Sequence, residues 1–140
     1  MEEVYGKVIF FEHGRAGHCG ITYGLDLRVC HHFHLHILPA DIDISKTINQ
    51  KHEQKNMKLY SQIIDMYNKF GNYLFFENTK GDKYFYPASD DSLPTHYLAT
   101  VVSDYLNTPE RANWQNYSNL VEMNITKQKL FSKLKNNRVL

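Results

Sequence analysis

The segment "HHFHLHILP", residues 31–39, places four of the chain's eight histidines within six positions. His32, His34 and His36 alternate with Phe33, Leu35 and Ile37, and Pro39 closes the run. Imidazole titrates near neutrality, acts as nucleophile or proton carrier, and ligates transition metals. The run is therefore a nucleophilic site, a set of metal ligands, or an accident of composition. Successive side chains of a strand point to opposite faces. As a strand, the run puts His32, His34 and His36 on one face. Phe33, Leu35 and Ile37 take the other, against the core, and His31 falls on their side.

Spacing separates the chemistries. His-x-His on a strand presents two imidazoles to one ion, but positions i and i+4 lie roughly 13 Å apart. A metal-binding histidine module needs His13, His18 or a carboxylate to complete a set begun by His32 and His34. Nucleophilic catalysis by the middle histidine suits the wide spacing, because a phosphoryl group and its leaving group extend over several ångströms.

The elements that must position these residues are short. "KVIFF", 7–11, reads as a buried strand, and the glycine-rich "EHGRAGHCG", 12–20, as a loop. "LRVCHHFHLHIL", 27–38, reads as the second strand, ended by Pro39, which cannot donate to a ladder. "ADIDIS" leads into a helix. Met57, Tyr60, Ile63, Ile64, Tyr67 and Phe70 follow helical spacing, and Gly71 supplies the stop. "NYLFFENTKGDKYFYP", 72–87, predicts a hairpin turning near Lys80-Gly81-Asp82. Ser92 and Pro94 read as the cap and first residue of a helix with Leu98, Val101, Val102 and Tyr105 as its apolar stripe. Pro109 opens a further short helix. The tail has Leu130, Phe131 and Leu134 as an apolar face. The fold class is α+β, an antiparallel sheet with helices packed on it, in a single domain over 1–140.

Composition excludes some classes. The chain has 140 residues, 42% of them hydrophobic and 22% charged, with a formal charge of +1. That balance argues against general nucleic-acid binding, which needs a basic field. The basic tail "KQKLFSKLKNNR" reads as a solvated helix face. No apolar stretch approaches the roughly 20 residues of a membrane span. "MEEVYGKVIFF" lacks the basic start and cleavage site of a secretory signal. Cys19 and Cys30 lack C-x-x-C spacing, so the expectation is a cytoplasmic protein with two free thiols.

"HFHLHIL", His32 to Leu38, resembles the signature of the histidine triad (HIT) superfamily, His-φ-His-φ-His-φ-φ with φ apolar. "FFEHG", 10–14, is similar to the strand end and glycine turn upstream of that triad. "NYLFFENTKGDKYFYP" resembles the hairpin of one HIT-like subgroup, and "LPTHYLATVVSDYL", 93–106, its Pro-Ser-Gln helix start. The resemblance is strong over about 8–39 and weaker over about 57–131. It implies an abbreviated HIT-like domain whose usual N-terminal half, a helix, a hairpin and a further helix, is missing. It also implies a nucleotide hydrolase or nucleotidyltransferase acting at the α-phosphorus through a transient nucleotidyl-histidine. Carried over by motif position, His34 is the nucleophile, His32 orients it, and His36 contacts the phosphate or the leaving oxygen. Gly14, Arg15 and His96 are the candidate substrate-binding residues. No cofactor is required and no metal is expected. The expected partners are a nucleotide or nucleotide conjugate and a second copy completing the sheet as a homodimer.

The chain also departs from the family pattern. "DLRVCH" stands where small polar residues usually precede the triad, and the loop from Gly14 to Arg28 is longer than usual. His96 stands where the subgroup has Gln, and it either reaches the site or caps a helix. Ala99 or Thr100 replaces a following Arg. A weakly active relative, a dimer partner that completes the pocket, and an unusual substrate all fit these departures. The alternatives to an enzyme are the metal-binding histidine module and a non-catalytic nucleotide-binding or interaction remnant of a HIT domain.

Overall fold

The computed structural model describes residues 2–14, 20–23, 26–29, 34–88, 93–94, 96–112, 117 and 120–136. The sheet is built outward from "YLFFE", the strand β6 (Tyr73–Glu77), whose five residues are all buried. A strand buried along its whole length, four apolar residues and then Glu77, needs neighbours on both edges and cover on both faces. β1 (Ile9–Gly14) pairs with it on one side and β7 (Lys83–Pro87) on the other. β4 (His36–Leu38) and β5 (Lys55–Met57) are the edges, giving the order β4-β1-β6-β7-β5 with every pairing antiparallel. A separate two-stranded hairpin joins β2 (Gly20–Tyr23) to β3 (Asp26–Val29) between β1 and β4. The fold is α+β, as the sequence predicts.

Alternation along the strands separates two cores. Ile9, Phe11, Leu74, Phe76 and Tyr86 face Ile48 of α2 (Ser45–Asn49) and Tyr97, Leu98 and Val102 of α4 (Tyr97–Tyr105). Tyr73, Phe75 and Phe85 face Ile63, Met66, Tyr67 and Phe70 of α3 (Gln62–Phe70). Gly71 ends α3 with φ +79°, a conformation L side chains rarely adopt. The β6–β7 turn closes where expected, with Gly81 at φ +83°. α1 (Glu2–Tyr5) meets α5 (Leu120–Asn136) through the Tyr5 hydroxyl, which donates to the Thr126 carbonyl at 3.3 Å. Pro109 opens a 3-10 turn through Ala112. Among the described residues, no helix is long and apolar enough to cross a membrane.

Four expectations are corrected. β1 does not stop at Phe11 but carries Glu12, His13 and Gly14 as strand, because β6 supplies partners out to Tyr73. The single strand expected over 27–38 is divided. Leu27 to Val29 belongs to β3 and pairs with β2, and among the described residues only His36 to Leu38 of this stretch joins the main sheet. Met57 belongs to β5 and packs with Tyr73, Phe75 and Phe85; the helix begins only at Gln62, whose Oε1 accepts the Lys58 and Leu59 amides at 2.8 and 2.9 Å. α4 begins at Tyr97, its amide bonded to the Pro94 carbonyl at 3.2 Å, and Ser92 lies outside the described residues.

Candidate active site

β4 is an edge strand, and its register fixes the site. His36 lies opposite Phe11, and the two rings stack with centroids 4.8 Å apart and planes 7° from parallel. That contact holds the imidazole against the sheet. His13, two residues beyond Phe11, shares Phe11's face. Its Nε2 accepts the Leu98 amide N–H at 2.8 Å, in the first turn of α4. An accepting Nε2 carries no proton, so the ring is neutral with its proton on Nδ1. Burial pushes the His13 pKa down to about 4, with the charges of His36 and His96 acting in the same direction. His36 is also lowered, by burial first and then by His34 and His96.

His96 is the residue before α4 and has the left-handed backbone φ 60°, ψ 29°. Its side chain makes no capping hydrogen bond; its charge acts on His13 and His36 instead. His34 is exposed just before β4, and its charge acts on His36 and on Glu12.

The structure therefore gathers His34, His36 and His96 from the predicted set and adds His13. His32 and Arg15 lie outside the described residues. Gly14 is buried beneath the Tyr73 ring, where an added Cβ would fall 2.1 Å from ring carbons, so its smallness serves packing. From the sequence His13 is a candidate only for the metal module, because Glu12 to Gly14 read as a loop; its place beside His36 depends on β1 continuing along β6. Imidazole N–H groups gathered at the N-terminal end of a helix can donate to an anion, and the charge of an anion would favour their protonated forms.

The expected core face of the histidine run is also corrected. Leu35 is 49% and Ile37 42% exposed, because α3 does not extend over the edge strand. Leu35 instead borders an open groove of about 430 Å³ on the α3 face, between β4 and α3. Glu12, 6% exposed, lies at this groove and takes a hydrogen bond from the Tyr73 hydroxyl at 3.3 Å. Burial raises its pKa, while Tyr73 and His34 pull it back down.

No protein-family model matches the chain, and no curated protein or solved structure is significantly similar to it. Among the described residues, no group of three His, Cys, Asp or Glu side chains is placed to hold a metal ion. His18 and His32, which the metal reading invokes, lie outside them.

Proposed function

We propose that this chain is a nucleotide hydrolase or nucleotidyltransferase of the HIT type, with His34 as nucleophile. The supporting observation is the imidazole cluster at the β4 edge: His36 stacked on Phe11, His13 held neutral by the Leu98 amide, and His34 and His96 close enough to act on His36. In the proposed reaction a His34 ring nitrogen attacks the α-phosphorus. The N–P bond forms as the bond to the leaving group breaks, and the leaving group departs with its electron pair and takes up a proton. Water then breaks the N–P bond and releases the nucleotide, or a second acceptor takes the nucleotidyl group. His36 contacts the phosphate or the leaving oxygen, and His32 orients His34. Neutral imidazole is a competent nucleophile near physiological pH without a metal.

The test is direct trapping. A panel of nucleotides and nucleotide conjugates is incubated with the chain and quenched cold. Mass spectrometry should find a nucleotidyl adduct on His34, and its mass names the substrate. Ligand binding with neither adduct nor product would favour the non-catalytic remnant.

A further inference from the structure

Two buried glutamates lie on the α3 face of the same sheet, and they are not equally satisfied. Glu77, 7% exposed, accepts the Tyr60 hydroxyl and pairs with the Lys83 ammonium at 3.1 Å. That ammonium also sits 4.8 Å from the Tyr60 ring centroid. The unit is complete: carboxylate, phenol, and a cation over an aromatic face. Glu12 repeats the first two parts, with Tyr73 as its phenol. Among the described residues, no lysine or arginine forms an ion pair with it. In place of a lysine it has the groove, bordered by Leu35, Tyr60, Ile64, Tyr67 and Tyr73. The groove is apolar apart from Glu12 and the tyrosine hydroxyls.

We infer that the groove binds an organic cation, an ammonium group on an apolar body. The ammonium occupies beside Glu12 the position that Lys83 occupies beside Glu77. The apolar body lies between Leu35 and Ile64, and the tyrosine rings supply the faces that favour a cation. A neutral ligand of the same shape desolvates the Glu12 carboxylate further without bringing a cation to it, so charge is the selective feature. The inference does not rest on nucleotide chemistry: His34, whose charge acts on Glu12, would compete with the bound cation rather than hold it.

The test is calorimetric titration of the full chain with hexylammonium chloride, with 1-hexanol as the uncharged control. Hexylammonium should bind at least about tenfold more tightly than hexanol, the scale of one charge-assisted pair. Glu12→Gln, which keeps a partner for Tyr73, should remove that preference. Ile64→Lys, at a position 67% exposed, should place an internal ammonium at the groove and abolish hexylammonium binding without unfolding the chain. His34→Asn removes a neighbouring charge that acts on Glu12, so it should keep or strengthen the preference for hexylammonium over hexanol while removing the proposed catalysis, which separates the two. Equal binding of hexylammonium and hexanol, undiminished binding by Glu12→Gln, or no binding at millimolar hexylammonium would each overturn the inference.

Discussion

On the α4 face of the sheet, His13 and His36 are held towards neutrality, by burial first and then by neighbouring histidines; on the α3 face, Glu12 and Glu77 are each clasped by a tyrosine hydroxyl. The same short strand serves both faces. In β1, Glu12 and His13 are adjacent and therefore point apart. The imidazole face meets the N-terminal end of α4, which is where the proposed function would place an anion. The carboxylate face is satisfied at Glu77 by Lys83 and left without a lysine or arginine at Glu12, among the described residues. On the two proposals, one sheet separates an anion-binding edge from a cation-binding groove by a single residue step.

The largest effect that tests this contrast is on turnover. His34→Asn should lower nucleotide turnover by about a thousandfold or more, the scale of losing a covalent nucleophile. The exposed position predicts an unchanged fold, checked by circular dichroism. Lys83→Met, on the other face, should leave turnover unaltered. Wild-type rates in His34→Asn would remove the anion-seeking half of the comparison.

The next effect is on stability against pH. His13 binds a proton near 6.5 when unfolded and only near 4 in the fold. Above the unfolded value both states are neutral and stability does not depend on this group. As pH falls from there towards 4 the unfolded chain takes up a proton that the fold refuses, so stability is lost across that window and levels below it. The loss amounts to as much as about 3 kcal/mol for this residue. His36, shifted in the same direction, adds to it. His13→Gln keeps an acceptor for the Leu98 amide and removes the titration, so urea unfolding should show a flatter pH profile. An unchanged profile would mean that His13 is not held neutral.

A packing change should come next. Gly14→Ala forces the Tyr73 ring to move, since the new carbon would lie 2.1 Å from it. The expected cost is about 2 kcal/mol, typical of overpacking a core. Because Tyr73 also holds Glu12, the Glu12 carboxyl should titrate differently in the variant. Lys83→Met should cost about 2 kcal/mol as well, by leaving Glu77 buried with only its tyrosine. Thermal unfolding measures both, and a neutral Gly14→Ala would mean that Tyr73 has room to shift.

Much of the scaffold was legible in the sequence because it is local. The hairpin of β6 and β7, the Gly71 stop and the Pro39 strand end each follow from a few residues. The α3 start was not legible: Met57 fits the helical period, yet it packs in β5 against residues distant in sequence. The candidate site was half legible. The histidine alternation marked His34 and His36, but nothing local showed that β1 continues through His13 or that α4 brings Leu98 to it. Glu12 escaped for the same reason: its meaning depends on Tyr73, 61 residues away.

The smallest predicted effect tests the edge itself. The sequence pattern puts Ile37 on a core face, where loss of its apolar bulk would cost several kcal/mol. In the structure Ile37 is 42% exposed, on the strand that forms the sheet edge among the described residues. Ile37→Thr keeps the β-branched shape that suits a strand and should cost under about 1 kcal/mol. By contrast, Leu74→Ala in the fully buried β6 should cost about 3 kcal/mol. The unfolding midpoints should therefore separate an edge position from a central one. A cost at Ile37 as large as at Leu74, growing with protein concentration, would mean that a second copy covers β4. The exposed edge and its two apolar side chains are what such a partner would meet, and an edge strand left open is a natural template for pairing. A small cost at all concentrations places β4 at a true boundary of the sheet, with the imidazole cluster open to solvent from that side.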